Sequence, residues 1–183
     1  MAFQVEVFLI ALCVATPIYL LLRMPWRKHD PREWALGMFW IFLIALGVMV
    51  FRGATLPSDG DVLKAAAERL RTGYMINVIP LKTIRGYFTI KGSENYYINI
   101  VGNVVMFVPF EFGLPFLWKK MNKFFPLNLT LLFVPVFVET VQLFIGRSVD
   151  IDDVILNFAG GIIGALFYTF ARIAVPEIKS IAR

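Results

Sequence analysis

The chain has 183 residues, 58% of them apolar and only 17% charged, with a mean hydropathy of +0.71. Soluble domains carry about 25% charged residues, so this composition excludes a soluble globular domain. The formal net charge is +5, but Lys and Arg gather in short loops between apolar runs, where they set membrane topology; no nucleic-acid partner is read from them.

The length suits a single membrane domain over residues 1–183. Its one cysteine, Cys13, lies in an apolar run and leaves no intramolecular disulfide to form. Residues 7–22, in a span reaching back to residue 5, and residues 34–51 are the first two runs. Both lack ionisable acids and bases between their ends and approach the ~20 residues that cross hydrocarbon. Only Gln4 and Glu6 precede the first run and the basic residues follow it, so it reads as a retained anchor, not a cleaved leader.

Residues 52–95 form a longer, mixed segment. Ser58 and Asp61 suit a helix cap, after which Val62, Leu63, Ala66, Ala67 and Leu70 make an apolar stripe beside polar Lys64, Glu68 and Arg71. That pattern predicts a helix lying on the membrane surface. Residues 77–84 are too short to span and are interrupted by Pro80, and Gly92-Ser93 makes a turn, so this stretch reads as re-entrant or surface-bound.

Three further runs, 98–118, 124–145 and 154–174, complete an all-α polytopic bundle of about five transmembrane helices. The short loops hold Arg23, Arg27, Lys28 and Arg32, then Lys119, Lys120 and Lys123, with Arg172, Lys179 and Arg183 at the end of the chain. With five spans all three groups fall on one side, which the positive-inside rule makes the cytoplasm, with the N-terminus outside and the C-terminus inside. Trp26, Trp34 and Trp118 then mark the inner interface and Tyr96 and Tyr97 the outer one. His29, in the first basic loop, reads as solvated.

The last three runs carry polar groups where polarity is expensive: about 3 kcal/mol for a charge at the bilayer centre on insertion scales. Asn99 and Asn103 lie in the first turns of the third run, Glu139 and Gln142 in the last turns of the fourth, and Asp150, Asp152, Asp153 and Asn157 open the fifth. At about 1.5 Å per residue, Asn103, Glu139 and Asn157 reach comparable depths below the outer surface. Arg147 can lean back toward Gln142 and Glu139, directly or through a water, and Arg52 can join the same rim. A guanidinium fork matches phosphate and a helix N-terminus favours anions, so the rim suits an anionic headgroup.

Structural readings stand beside these. Asp150 and Asp153 equally suit an N-cap and first-turn acid, which leaves Asp152 without a role. Asn99, Asn103, Gln142 and Asn157 equally suit interhelical hydrogen bonds, and Gly160, Gly161 and Gly164, with a G-x-x-x-G spacing, suit close helix packing. Glu111, between Pro109 and Pro115 and nearer the inner face, is expected to snorkel or to face a helix break. The acids at 150, 152 and 153 with Asn157 have oxygen-ligand chemistry, but their spacing is equally that of a helix start. No metalloprotease, nucleophile-elbow or P-loop motif is present, and neither a metal nor a cofactor is assigned.

At these residues the chain resembles the VanZ-like family of bacterial membrane proteins. The segments 77–84 (NVIPLKTI), 99–115 (NIVGNVVMFVPFEFGLP) and 139–161 (ETVQLFIGRSVDIDDVILNFAGG) carry the likeness. The positions it singles out are Asn77, Pro80, Asn99, Gly102, Asn103, Pro109, Glu139, Gln142, Arg147, Asp150, Asp152, Asp153, Asn157 and Gly160. Glu111 departs from the pattern, standing where a small residue, usually Gly, is expected. The resemblance implies residence in a bacterial plasma membrane and a link to reduced sensitivity to glycopeptide antibiotics, teicoplanin especially, without naming a reaction.

Two functional readings follow. In one, Arg52, Asn77, Asn99, Asn103, Gln142, Asp150, Asp152 and Asn157, with Glu139, Arg147 and Asp153, form an outward-facing pocket for a membrane lipid, a lipid-linked cell-wall precursor or a lipophilic glycopeptide. In the other, the chain is a membrane enzyme acting on a lipid phosphate or diphosphate. Glu139 is then general base, Arg147 the phosphate holder, and Asp153 part of the group that places a metal or water.

Overall fold

The computed structural model describes residues 2–28, 30–89 and 94–183. The helices are α1 (Ala2–Arg23), α2 (Pro25–Lys28), α3 (Pro31–Val50), α4 (Val62–Thr72), α5 (Lys82–Thr89), α6 (Glu94–Leu117), α7 (Phe124–Phe144) and α8 (Ile151–Ala174). Four of them, α3, α7, α8 and the Asn99–Leu117 part of α6, are long and apolar enough to cross a membrane, and α1 adds a shorter apolar stretch, Leu9–Arg23. The chain is thus an all-α, polytopic membrane protein. Its only pairing of strands among the described residues is a two-residue parallel bridge, β1 (Ile76–Asn77) with β2 (Val149–Asp150).

Local chemistry sets the helix starts. Asp30 caps α3, its carboxylate accepting from the Arg32 amide, with Pro31 opening the helix, and Asp61 caps α4 by accepting from Lys64. Gly73, with φ +71°, closes α4. Asp150 caps α8, accepting from the Asp152 amide at 2.9 Å. Gly146 turns the chain between α7 and α8 with φ +73°, and a Cβ there would stand 2.2 Å from the Thr55 carbonyl oxygen. That position admits only glycine.

The tightest packing joins α6 and α8, which run parallel. A Cβ on Gly160 would come within 2.0 Å of the Val104 carbonyl oxygen, and one on Gly164 within 2.2 Å of that of Val108. The expected small-residue contact is therefore present as backbone-on-backbone packing. Leu46, Val50, Phe107 and Val138 form a buried apolar core among α3, α6 and α7.

The bundle has two chemically distinct ends. At the basic end, Arg183 pairs with Asp30 at 2.8 Å and exchanges backbone hydrogen bonds with Leu117 and Lys119. All three basic loops therefore meet there, as the sequence predicts. At the acidic end lie the C-terminus of α3, the segment carrying α4 and α5, and the start of α8.

The surface stripe of α4 needs correction. Val62, Ala65, Ala66 and Arg69 face the bundle, with Ala66 only 4% exposed, whereas Leu63 and Leu70 are 73% and 62% exposed. A one-stripe reading misses that this helix has two apolar faces, one on protein and one outside it. Tyr74, Val78 and Ile79 extend the exposed apolar surface. The Gly92-Ser93 turn, His29 and the side chains of Tyr96 and Tyr97 lie outside the described residues.

Candidate functional site

The polar cluster assembles at the acidic end, and α7 supplies its centre. Glu139 is 4% exposed and its Oε2 accepts from the Asp150 amide at 2.9 Å, tying α7 to the first residue before α8. The hydrogen-bond network assigns the Gln142 amide an orientation in which its nitrogen donates to Glu139 Oε1 at 3.0 Å and its oxygen accepts from Arg147 Nη1 at 3.2 Å. Arg147 therefore reaches Glu139 through the Gln142 side chain. Its Nη1 also donates to the Val50 carbonyl at 2.9 Å and toward that of Met49 at 3.3 Å, closing the C-terminus of α3.

The three acids separate by role. Asp152 is fully buried, and its carboxylate accepts from the backbone amides of Leu81, Thr83 and Ile84 at 2.5, 2.7 and 3.0 Å. It caps α5 from a distance of about 70 residues along the chain, which answers the question the sequence leaves open. Asp150 accepts from Asn77 Nδ2 at 2.8 Å and from the Thr83 hydroxyl at 2.5 Å. Both oxygens of Asp152 and both of Asp150 are thus engaged in holding segment 76–89, which disfavours them as ligand or metal donors. Asp153 alone is partly exposed, taking a 2.6 Å bond from Asn103 Nδ2 and lying within electrostatic reach of Glu139 and Arg147.

Other candidates fall elsewhere. Asn157, one turn after Asp153 on α8, is buried, and its Oδ1 has no partner among the described residues, whereas Asn103 meets Asp153. Asn99 is exposed and donates to the Tyr87 hydroxyl at 3.1 Å, joining α6 to α5. Arg52 is exposed, with no side-chain hydrogen bond to a described residue, and does not join the rim. Asn77 is a structural latch between Asp150 and Thr83.

Sequence reading passes over two contributors. Arg69 donates to the carbonyls of Leu143, at 2.6 Å, and Arg147, closing the end of α7. Its place on the inward stripe of α4 with Val62, Ala65 and Ala66 is the available signal, hidden when α4 is assigned a single face. Thr83 links Asn77 and Asp150 but carries no local pattern that distinguishes it.

Glu111 also departs from expectation. Helix α6 continues through Pro109 and Pro115, and Glu111 is fully buried instead of snorkelling. Its Oε2 accepts from Thr130 at 3.3 Å, its Oε1 has no partner among the described residues, and its Cγ sits 3.0 Å from where a Gly161 Cβ would lie. The small residue on α8 makes room for the large one on α6. An ionisable group buried without a cation is costly, so Glu111→Gln, of equal volume, should hold or raise the melting temperature in detergent. A drop of more than about 1 kcal/mol would show the carboxyl to be needed for stability.

The family comparison bears on this geometry. The family described as VanZ/LLP1 matches residues 39–172, well over half of the chain and all of the acidic-end cluster. The chain belongs to the VanZ/LLP1 family. No curated protein and no solved structure matches it. In VanZ/LLP1 terms, the match begins within α3 and ends near the close of α8, so α1 and the start of α3 lie outside it.

Proposed function

We propose that this VanZ/LLP1 protein binds the polar headgroup of a lipid or lipid-linked cell-envelope component at its acidic end, in the outer leaflet of a bacterial plasma membrane. The basic end then faces the cytoplasm, with the N-terminus outside. The observation that carries the reading is the pairing of partly exposed Asp153 with Asn103 beside buried Glu139, next to an apolar surface of Leu63, Leu70, Tyr74, Val78 and Ile79 that suits immersion in lipid.

Carboxylates and amides accept hydrogen bonds from hydroxyl and ammonium groups, the chemistry of a sugar- or amine-bearing headgroup. Arg147 Nη2 makes no hydrogen bond to a described residue and is available to an attached phosphate. Capture of such a component, or of a lipophilic glycopeptide, accounts for the family's link to teicoplanin sensitivity.

Mass spectrometry of lipid co-purifying with the full chain tests this. An envelope lipid is expected with the wild type and should fall at least tenfold in Asp153→Asn, a loss of about 1.4 kcal/mol. The reading fails if the wild type retains neither lipid nor glycopeptide while Glu139→Ala and Arg147→Ala, at normal expression, leave teicoplanin sensitivity unchanged.

The placement of Glu139 on the Asp150 amide at the start of α8, three residues before Asp153, also favours a second reading, an acid–base pair acting on a lipid phosphate. Turnover of an envelope lipid that disappears with Asp153→Asn and with EDTA would select it over binding alone.

A further inference from the structure

A cavity of about 390 Å³ opens at the other end of the bundle, between α1, α3 and the residue that follows α6. Its α3 wall runs through Arg32, Leu36, Phe39 and Leu43, positions that share one helix face. At 1.5 Å per residue, that wall passes from a cation at the bundle end to an apolar side chain about 16 Å deeper. On α1, Arg23 stands at the end and Tyr19 one turn deeper, so both walls grade from charged to apolar in the same direction. Trp40 and Trp118 complete the lining, and Trp118 packs edge-on against Phe39, with ring centroids 5.7 Å apart.

The two arginines are not equivalent. Arg23 makes a two-pronged pair with buried Glu33, at 2.9 and 2.8 Å, and Tyr19 donates to the Glu33 carbonyl at 2.6 Å. Among the described residues no carboxylate pairs with Arg32. Its Nε is buried without a partner, and its Nη2 has only a long, 3.4 Å contact to the Leu117 carbonyl. A guanidinium with an orphaned donor, lining a space whose other walls are the Glu33-paired Arg23 and otherwise aromatic and apolar side chains, calls for an anion carrying a hydrocarbon body.

We propose that this cavity binds an anionic phospholipid of the surrounding membrane, its phosphate on Arg32 and the start of its acyl chains along Leu36, Phe39 and Leu43. The volume lies within the usual range of small-molecule sites, and basic pockets between helices recognise anionic headgroups in this way. The site is separate from the acidic-end cluster, at the opposite end of the bundle, and stands whether or not that cluster binds a headgroup.

The test uses the full chain in nanodiscs of phosphatidylcholine doped with phosphatidylglycerol, released and weighed by native mass spectrometry. Phosphatidylglycerol should be retained over phosphatidylcholine, and Arg32→Gln should reduce that preference about fivefold, the effect of about 1 kcal/mol per basic residue at a membrane surface. Leu36→Trp, which fills the space and keeps the charge, should reduce it as well, so a folding failure in one variant does not decide the matter. Lys179→Gln removes an exposed charge from the basic end outside the cavity and should leave the preference intact. Three results would overturn the proposal: no preference in the wild type, equal losses for Arg32→Gln and Lys179→Gln, or displacement of the lipid by millimolar glycerol phosphate, which would assign the site to a soluble phosphate.

Discussion

Asp152→Ala will loosen the whole 76–89 segment from α8. Three backbone amides, of Leu81, Thr83 and Ile84, lose their acceptor at once. A part-buried donor left unpaired costs about 1 kcal/mol or more, so the expected loss is about 2–4 kcal/mol. Asp152→Asn keeps the shape but turns one accepting oxygen into an NH2 donor, so at least one of the three amides loses its acceptor, and its loss should fall between wild type and Asp152→Ala. Glu177→Gln, on an exposed acid remote from the cluster, should move stability by less than about 0.5 kcal/mol. Urea unfolding in detergent reads the size, and hydrogen exchange of amides 81–84 reads the place. If Asp152→Ala unfolds like the wild type with those amides still protected, Asp152 is not the anchor. Because Asp150 and Asp152 share the segment through Thr83, their double variant should cost less than the sum of the singles.

Gly160→Ala will separate the two helices most closely packed in the bundle. The added methyl meets only backbone, the Val104 carbonyl oxygen at 2.0 Å, its carbon at 2.8 Å and the Cα at 3.0 Å, so no side chain can turn aside. Overpacking of this kind costs about 2–3 kcal/mol, and Gly160→Leu should prevent assembly. Gly102→Ala is the internal contrast: it lies in α6 with nothing within 4 Å of its Cβ. Alanine there should be neutral or gain up to about 1 kcal/mol of helix propensity. Equal melting temperatures for Gly160→Ala and Gly102→Ala would refute the close contact.

Both predictions touch the proposed site only indirectly. Loss of Asp152 leaves Asp153, Asn103 and Glu139 on their own helices but releases the 81–84 amides that Asp152 holds against the start of α8. Asp152→Ala should therefore weaken lipid retention without the selectivity change expected of Asp153→Asn. That difference separates a residue that holds the site together from one that meets the ligand.

Much of the architecture was legible along the chain. The apolar runs match the helices because a span must be continuous and uncharged, and that requirement is written locally. The caps at Asp61 and Asp150, the close-packing glycines of α8 and the gathering of basic loops at one end are likewise short-range signals. The cluster itself could be named, since polar groups in apolar runs stand out by their cost. Its internal assignment could not. Asp150, Asp152 and Asp153 sit within four positions, yet one caps a helix and latches Asn77, one anchors a distant segment, and one stays accessible.

Sequence by itself determined that this is a multi-helix membrane protein, where its long apolar helices lie, and which polar residues demand an explanation. Tertiary structure alone decided which of those residues are already satisfied. It gave Asp152 the amides of Leu81, Thr83 and Ile84, turned Arg147 onto the end of α3, drew Arg69 onto α7, and buried Glu111 against the space left by Gly161. The physical reason is that hydropathy and capping act over one or two helical turns, whereas a buried hydrogen-bonding group takes its partner from whatever segment the packing brings near.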